Sequence, residues 1–515
     1  MINKILLTLF ITLISACASL PGNTQQEPSY AFNKASTMDT RLATVVMKRE
    51  QAGMGKPGET GIHLLDSGHD AFVARAVLAQ KADKTLDVQY YLYHHDLSGK
   101  ILLAQLLDAA DRGVRVRLLV DDMDLAKADI AGVMIDDHPN FEVRVWNPFI
   151  RGSNRTAQFI TRFGSVTRRM HNKTFTADNQ IAIVGGRNIG NEYFGADPDV
   201  SFRDLDAILI GDVVEQVSGS FDQYWNHKLA YPITTLHPEK LDKQTTQNKR
   251  LEFDAYIKSQ QQSVYADILA NSDLAAKLQS DKIDYQWGRA EIFADSPDKT
   301  EADRDRADLH LITKLAPKLL SAEKELLIVS PYFVPGKEGT KTLTDLVNKG
   351  VVVKILTNSL ASNDVEVVHA GYSRYRKDLL EAGVQLYEMN SVLKNINGAD
   401  KATLGSSKSS LHAKYFVIDR SKSFVGSLNL DPRSVTENTE IGVMVYNKVV
   451  SRDIAEYFDD HIMNIAYKLQ LKDGNITWKQ KTDAGIIVLE TEPNSTFWQR
   501  LKISFMSYLP GESQL

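Results

Sequence analysis

The chain contains very little cysteine: Cys17 is the only one among 515 residues. A single cysteine excludes an intramolecular disulfide and a cysteine-ligated metal site, so apolar cores must stabilise the fold. Positive charge is not in excess either, because the formal net charge is −5, whereas proteins that bind nucleic acid usually carry a basic face. The sequence also lacks a Gly-rich nucleotide-binding loop and, beyond the N-terminus, any apolar run long enough to cross a bilayer.

The N-terminus has the pattern of a secretory signal. Lys4 precedes an apolar segment over 5–16, which is shorter than the ~20 residues of a membrane-spanning helix. Residues 14–17, Ile-Ser-Ala-Cys, resemble a bacterial lipoprotein box, which predicts a signal peptide over 1–17 and lipidation of Cys17. Lipid there would hold the protein at a membrane surface; an ordinary signal peptide or a short uncleaved anchor is the alternative. By resemblance to bacterial lipoprotein sorting rules, Ala18 in place of Asp favours the periplasmic side of the outer membrane over the inner membrane.

A histidine motif occurs twice in the chain. The copies are His171, Lys173, Asp178, Gly185, Gly186 and Asn188, and then His412, Lys414, Asp419, Gly426, Ser427 and Asn429. In both, His to Lys is two residues, His to Asp seven, Asp to Gly seven and Gly to Asn three. Four equal intervals indicate a repeat rather than a coincidence.

The sequence around the two motifs is repeated as well. Helical and strand patterns alternate over 71–120 and again over 309–356, with the order of parallel crossover units. With 43% apolar residues, the chain can fill the cores of two α/β domains. The predicted division is a tether at 18–40, a first domain at 41–240, a helical connector at 241–280, a second domain at 281–470 and a tail at 471–515.

Each motif is predicted to start a strand, and Asp178 and Asp419 to lie at the turns that follow. Side chains two apart on a strand share a face, so each histidine points the same way as its lysine. The glycines would let the backbone approach an anion. Arg187 nearby would be either a further phosphate ligand or a partner in a salt bridge within the protein. An imidazole can attack phosphorus, a second can move a proton, and Lys and Asn can hold the phosphoryl oxygens. This chemistry suits a phosphodiester and requires no metal or other cofactor.

The two motifs resemble the HKD motifs of the phospholipase D superfamily. More narrowly, the segments 169–173, 185–190, 192–195 and 429–434 are similar to bacterial cardiolipin synthases of the class C type. The resemblance implies two tandem α/β/α domains, related by a pseudo-two-fold, that place both motifs in one site.

The resemblance also implies individual roles. His171 would be the nucleophile that forms a phosphohistidine, and His412 the acid/base, although the sequence by itself leaves their order open. Lys173, Lys414, Asn188 and Asn429 would hold the phosphoryl group, and Asp178 and Asp419 of the two motifs are counted among the catalytic residues. An acidic residue after each motif would orient an imidazole: Glu440 matches this position, and Asp206 is taken as its counterpart in preference to Asp204. Gly185, Gly186, Arg187, Gly426 and Ser427 are predicted to line the substrate, with Gly186 replacing the serine of the family pattern.

The predicted function is phosphatidyl transfer from one phospholipid to phosphatidylglycerol, which makes cardiolipin. The alternatives are hydrolysis of phospholipid to phosphatidic acid, a phosphodiesterase or nuclease and, from another class, a non-catalytic surface or nucleic-acid-binding protein. Phospholipids are the expected partners. The C-terminal tail carries Phe497, Trp498, Leu501 and Phe505 among basic residues, a pattern that fits either a helix in the membrane interface or a terminal helix that caps the core.

Overall fold

The computed structural model describes residues 19–23, 26–52, 54–125, 129–197, 199–237, 241–392 and 408–507. The predicted signal peptide, the predicted lipidation site Cys17 and residues 508–515 lie outside this part of the chain. Among the helices of the described residues, none combines the length and the hydropathy that crossing a bilayer requires.

The first lobe and the connector are built from short strands and amphipathic helices. The strands are β1 (Thr60–Leu65), β2 (Thr85–Tyr90), β3 (Arg115–Asp121), β4 (Phe141–Trp146), β5 (Thr174–Ala177), β6 (Ile181–Gly185), β7 (Val200–Arg203), β8 (Asp206–Gly211) and β9 (Ala230–Pro232). The helices are α1 (Arg41–Gln51), α2 (Gly68–Lys81), α3 (Leu97–Asp111), α4 (Asp129–Asp136), α5 (Arg155–Thr161), α6 (Val213–Trp225) and α7 (Ile233–Leu236), then α8 (Lys243–Ser259), α9 (Val264–Asn271) and α10 (Asp273–Gln279) in the connector.

The second lobe repeats this order and extends it. Its strands are β10 (Gln286–Ala294), β11 (Glu325–Val329), β12 (Val352–Asn358), β13 (Gln385–Met389), β14 (Lys408–Leu411), β15 (Lys414–Ile418), β16 (Lys422–Gly426), β17 (Ile441–Tyr446), β18 (Ala466–Lys472), β19 (Asn475–Thr482) and β20 (Gly485–Leu489). Its helices are α11 (Leu311–Leu319), α12 (Gly336–Asn348), α13 (Glu366–Ser373), α14 (Arg376–Glu381), α15 (Pro432–Thr436), α16 (Lys448–Ile465) and α17 (Phe497–Met506).

The strand pairings give the two lobes the same topology. The first sheet runs β9-β4-β3-β2-β5-β6-β8-β1, with β2, β3 and β4 parallel. The second runs β10-β17-β16-β15-β11-β12-β13-β18-β19-β20, with β11, β12 and β13 parallel. The predicted duplicated α/β fold is confirmed, since each parallel crossover and each motif hairpin recurs in both lobes. β1 also pairs with β10, which joins the two sheets.

Apolar packing fixes the lobes against one another. Helices α2 and α3 cover one face of the first sheet and bury Ala, Val, Leu and Phe side chains there. A separate cluster combines residues of both lobes, among them Val184 and Leu209 from the first and Val425 and Val443 from the second. Burial of apolar side chains is the main favourable term in folding, so this shared cluster makes the two lobes one body.

The segment predicted to be a tether lies against the first lobe, so this prediction was wrong. The Gln26 side chain donates hydrogen bonds to the carbonyls of Trp225 and His227, at 3.0 and 2.9 Å. Buried Arg117 donates to the carbonyl of Ser29 at 2.9 Å. The two Gln26 bonds satisfy carbonyls at the end of α6, which the sequence alone could not place beside this segment.

The end of the second lobe also differs from the prediction. Helix α16 ends at Ile465, and Ala466 directly begins β18. β18 and β19 continue the second sheet past the boundary predicted at residue 470, and Trp478 of β19 is buried, donating a hydrogen bond to Glu388 at 2.8 Å. The alternation of apolar residues in β18 fits a strand as well as it fits a helix end.

Candidate active site

Each histidine motif is held in place by the opposite lobe. The backbone N–H of His171 donates to the carbonyl of Thr439, and that of His412 donates to the carbonyl of Arg203, both at 2.8 Å. Just before the histidines, Met170 bridges to Thr439, and β14 pairs in parallel with β7. The same crossing therefore occurs twice, related by the pseudo-two-fold, and it brings both motifs to the junction between the lobes.

Each imidazole pairs with a carboxylate from the other lobe. His171 Nδ1 lies 2.8 and 3.0 Å from the two carboxylate oxygens of Glu440, and His412 Nδ1 lies 2.5 Å from Asp204 Oδ2. A carboxylate at Nδ1 fixes the proton on that nitrogen and leaves the Nε2 lone pair for reaction. Both histidines are less than one-tenth exposed. Neither half of the site is complete without the opposite lobe.

Asp206 had been taken as the counterpart of Glu440, and the structure corrects this to Asp204. Gly426 pairs with Gly442 in the second lobe, and Gly185 pairs with Asp206 in the first. Glu440 lies two residues before Gly442, so its equivalent lies two residues before Asp206, on the same strand face. Asp206 contacts no histidine.

The Asp206 carboxylate instead stabilises the interior of the first lobe. Its Oδ2 accepts a hydrogen bond from Arg75 at 2.9 Å and lies 3.4 Å from Arg187 Nη1. All three side chains are almost completely buried. Removing a partner from such a buried ion pair leaves an uncompensated charge, so Asp206 belongs to the framework and not to the reacting groups.

Burial and positive charge keep both imidazoles neutral. Burial, then the charges of Lys173 and Lys414, lower the pKa of His171 well below its ordinary value. The pKa of His412 falls to about 4, first because the imidazole is buried and second because Lys414 carries a positive charge nearby. A neutral imidazole has a free Nε2 lone pair, which is the form needed to attack phosphorus or to accept a proton.

The two carboxylates differ in their charge states. Burial by itself would raise the pKa of Asp204, but the adjacent His412 and Lys414 bring it below the usual range of an aspartate. Burial dominates at Glu440 and raises its pKa to about 7, against the opposing effects of Lys173 and a hydrogen bond from Ser427. Asp204 is therefore ionised throughout the physiological range, whereas Glu440 exchanges its proton near neutrality.

The two lysines converge on the site from opposite lobes. Lys173 Nζ donates to the carbonyl of His171 at 2.6 Å, and Lys414 makes the same bond to His412. Both are buried; burial lowers the pKa of Lys173 well below its ordinary value and that of Lys414 to about 8. An ammonium group has three donors, so each lysine keeps two for an anion. A buried phosphoryl group is the natural counter-ion for this pair.

The two asparagines are also buried next to the histidine strands. Asn188 Nδ2 donates to the Tyr193 hydroxyl at 2.9 Å, and Asn429 Nδ2 lies 3.4 Å from Ser434 Oγ. The first bond ties Asn188 to the ring that packs edge-on against His412, at 5.0 Å between centroids. The predicted role of these amides in holding the phosphoryl group stays a prediction.

Asp178 and Asp419 had been predicted as catalytic residues, and the structure does not bring them to the histidines. Each lies at the far end of its hairpin strand, about 20 Å along the chain from the motif histidine. The Asp178 carboxylate accepts backbone N–H groups of residues 83–85, and that of Asp419 accepts those of residues 323–325. Both fix the start of a parallel strand, β2 or β11.

Most residues predicted to line the substrate support the carboxylates instead. A Cβ atom at Gly186 would lie 2.3 Å from Asp204 Oδ1, and one at Gly185 would lie 2.0 Å from Asp206 Oδ1. At Gly426, a Cβ would lie 2.5 Å from the Ile441 carbonyl. These glycines are required for close packing of strands, so a direct substrate contact is not their main role.

Arg187 and Ser427 are likewise committed within the protein. The guanidinium of Arg187 donates to the carbonyls of Leu65 and Asp66 at 2.7 Å and to that of Asp204 at 2.5 Å. The prediction that it meets substrate was therefore wrong. Ser427 Oγ donates to Glu440 at 2.5 Å and orients that carboxylate.

Aromatic rings form the walls around the imidazoles. The Tyr91 ring packs edge-on against His171 at 4.9 Å, and Lys173 Nζ lies 5.4 Å from the same ring. Tyr193 and Phe202 pack against His412 at 5.0 and 5.3 Å. Tyr91 was not among the residues predicted for the site. Its place directly after the central strand β2 was the signal that could have assigned it there.

Among the residues that the structure describes, no group of three or more His, Cys, Asp or Glu side chains is placed to hold a metal ion. The residues that do converge are two neutral imidazoles, two carboxylates and two ammonium groups. This set can form a bond to phosphorus, move a proton and neutralise phosphoryl oxygens.

Comparisons with known proteins agree with this arrangement. A family model described as "Cardiolipin synthase, PLD-like domain" matches residues 77–225 and 315–462, one lobe each. Because the two matches cover more than half of the chain, the chain belongs to this family, and the predicted phospholipase D resemblance is confirmed. The protein is an enzyme of the phospholipase D type.

Individual relatives are similar over most of the chain. Cardiolipin synthase C of Escherichia coli (strain K12) is 39% identical over 465 residues, covering 88% of this chain and 96% of the relative. A cardiolipin synthase of Clostridium perfringens (strain SM101) is 26% identical over 387 residues, covering 73% and 65%. The crystal structure of phosphatidylserine synthase from Haemophilus influenzae Rd KW20 matches with a TM-score of 0.55 at 14% identity, over 89% of this chain and 96% of that one. At this identity the likeness shows the fold alone.

Proposed function

We propose that this protein is a phosphatidyltransferase that makes cardiolipin, taking a phosphatidyl group from a phospholipid and passing it to phosphatidylglycerol through a phosphohistidine. The observation that carries the proposal is the pair of His–carboxylate contacts across the lobe junction, beside two buried lysines. The 39% identity with cardiolipin synthase C supports the choice of lipid substrates.

In the first step, Nε2 of His171 attacks the phosphorus of the donor phosphodiester. A P–N bond forms and the P–O bond to the departing alcohol breaks, while His412 donates its Nε2 proton to the alkoxide. The anionic phosphodiester would raise the pKa of His412 on binding and so supply that proton. Lys173 and Lys414 balance the charge that builds up on the phosphoryl oxygens.

In the second step, the neutral His412 takes a proton from a hydroxyl of phosphatidylglycerol. The hydroxyl oxygen attacks phosphorus, a new P–O bond forms, and the P–N bond to His171 breaks. One phosphodiester is exchanged for another, so the reaction needs no nucleotide. Splitting one displacement into two lowers each barrier.

The different charge states of the carboxylates support this order of the histidines. The ionised Asp204 stabilises positive charge on His412, as proton transfer requires. Glu440 holds its proton up to about pH 7 and also accepts from Ser427, so it supports a cation on His171 less strongly. His171 is then better suited to attack as a neutral nucleophile.

We also propose that lipidation of Cys17 holds the enzyme in the cell envelope, at the periplasmic side of the outer membrane. Stable anchoring by acyl chains would keep the enzyme at a surface that contains its substrates. Palmitate labelling of the wild type and of Cys17→Ser tests this proposal; equal labelling would contradict it.

The activity is tested by extracting lipids from bacterial cells that lack other cardiolipin synthases and express the protein. Cardiolipin should rise with the wild type and with His461→Ala, a control histidine whose ring stacks on Tyr457 in α16. It should not rise with His171→Ala at matched protein levels. If phosphatidic acid rises with the wild type while cardiolipin does not, the enzyme is a hydrolase and the proposal fails.

A further inference from the structure

The C-terminal helix α17 exposes an unusual amount of apolar surface. Phe497, Trp498, Leu501 and Phe505 are 63%, 74%, 49% and 67% exposed, whereas most large apolar side chains of the protein are buried. The helix is well formed, since Thr496 and Gln499 make a reciprocal capping box at its start. These rings are therefore held outward by a fixed element.

The exposed side chains lie on one face of the helix. At 100° per residue they fall within an arc of about 100°. Ile503 points to the opposite side and is the buried residue of the helix. Arg500 and Lys502 flank the apolar arc on its two sides, and the helix contains no acidic residue. Arg500 also donates to the Ser495 carbonyl, and Lys502 also pairs with Glu366.

The helix is packed close to the second histidine motif. Ile503 and Met506 contact Leu360 and Ala370, and Leu360 lies in the loop that follows β12. At the end of β12, the Asn358 side chain donates to the Leu411 carbonyl and accepts from the Leu411 N–H, at 2.9 and 3.0 Å. Leu411 directly precedes His412. The packing of α17 on Leu360 and the hydrogen bonds of Asn358 to Leu411 thus connect the helix to the second histidine motif.

We propose that α17 inserts its apolar face into the interface of an anionic phospholipid bilayer and so presents the catalytic cleft to the lipid surface. Trp and Phe are favoured at the boundary of headgroups and acyl chains, and basic flanks attract anionic headgroups. A second copy of the chain fits less well, because its face has the same positive flanks. The choice of a lipid surface rests on the proposed function, whose substrates reside there.

Trp498 provides a direct probe of insertion. Of the five tryptophans, Trp146, Trp225 and Trp478 are buried and Trp287 is half-buried, so Trp498 is the one that protrudes from the surface. The full-length protein is mixed with phosphatidylglycerol/phosphatidylethanolamine vesicles whose acyl chains carry bromine. Quenching should be strong in the wild type, should disappear in Trp498→Phe, and should fall in the double variant Leu501→Glu/Phe505→Glu. Leu251→Glu, an exposed apolar position on the polar helix α8, is the matched control and should leave quenching unchanged.

The consequence for activity is measured with two substrates. On vesicles, Leu501→Glu/Phe505→Glu should turn over about tenfold more slowly than Leu251→Glu. On a short-chain phospholipid below its critical micelle concentration, the two variants should be equal. If a variant that remains folded lost turnover on both substrates, the apolar face would have a structural role instead of a membrane-binding one, and the proposal would be overturned.

Two further outcomes would also contradict the proposal. One is equal quenching of the wild type and Trp498→Phe by brominated vesicles. The other is concentration-dependent dimerisation without lipid that Leu501→Glu/Phe505→Glu abolishes, which would assign the face to a second copy. Vesicle quenching requires no turnover. Therefore failure of insertion and failure of the proposed transferase activity can be told apart.

Discussion

The two halves of the site have the same backbone plan and different side chains around the carboxylate. In one half, Glu440 reaches His171 and accepts a hydrogen bond from Ser427. In the other, Asp204 reaches His412, and the position equivalent to Ser427 is Gly186. Strand register makes the two acids equivalent, so the difference comes from side-chain chemistry and not from the fold.

This difference shows how one duplicated fold can give two histidines distinct roles. The shorter Asp204 occupies the space that a Cβ at Gly186 would need, and it remains ionised beside His412. The longer Glu440 shares its carboxylate with a serine hydroxyl and holds a proton up to about pH 7.

The largest expected effect comes from deleting each imidazole. His412→Ala should lower steady-state turnover by about 10²–10⁴-fold, because proton transfer to and from the alcohols is lost. With a phosphate-labelled phospholipid analogue whose leaving group needs no proton, such as p-nitrophenol, the phosphoenzyme should then accumulate on His171, detectable as acid-labile, base-stable phosphate. His171→Ala should carry no such label. Label in His171→Ala together with none in His412→Ala would reverse the assigned roles.

A swap at the equivalent positions sharpens the comparison. Gly186→Ser should lower kcat by about 10²-fold, because the new side chain displaces Asp204 and misplaces the His412 imidazole. Ser427→Gly should lower kcat only about tenfold, since Glu440 loses one hydrogen bond but keeps its contact with His171.

Steady-state kinetics on one lipid substrate, with circular dichroism to confirm folding, measures both variants. Gly219→Ser, on the outer part of α6 where a Cβ meets nothing within 4 Å, is the matched control for a Gly-to-Ser change. Equal losses for Gly186→Ser and Ser427→Gly would mean that the two carboxylates are interchangeable.

The pH dependence of the reaction should reflect the pKa of Glu440, the longer of the two acids. The Glu440 carboxyl has a pKa of about 7, so it is protonated below that pH and cannot accept the Nδ1 proton of His171. We expect kcat, which reports the complex in which bound substrate has raised the pKa of His412, to rise with pH and level off above about 7, falling about tenfold per unit on the acidic side. Glu440→Gln should lose this fall in rate on the acidic side and have a lower plateau.

Asp204→Asn is the control and should keep the fall on the acidic side, since the pKa of Asp204 lies far below this pH range. If Glu440→Gln kept the same fall, a group other than Glu440 would be responsible for it.

The sequence predicted the duplication, the parallel crossovers and the pairing of each histidine with a lysine, because strand periodicity and matched spacing are local properties. It could not predict that each acid crosses to the other lobe, since that depends on the junction between the lobes. Counting residues after the motif led to Asp206, whereas strand register identifies Asp204. Long-range contacts also determine the role of Arg187. Its charge suggested a phosphate ligand, but its Nη1 and Nη2 groups donate to backbone carbonyls.

Replacing the motif aspartates Asp178 and Asp419 should have the smallest effect on kcat and should mainly lower the free energy of unfolding. Both occupy two-residue turns in which the aspartate and the next residue have positive φ, and both accept a row of backbone N–H groups. Asp178 is fully buried whereas Asp419 is partly exposed, so Asp178→Ala should lower the free energy of unfolding by about 3 kcal/mol and Asp419→Ala by about 1 kcal/mol. Asn tolerates positive φ and keeps one acceptor oxygen, so Asp178→Asn should lose less than Asp178→Ala. Urea unfolding measures these differences, and a large fall in the kcat of well-folded Asp178→Asn would return this aspartate to the catalytic machinery.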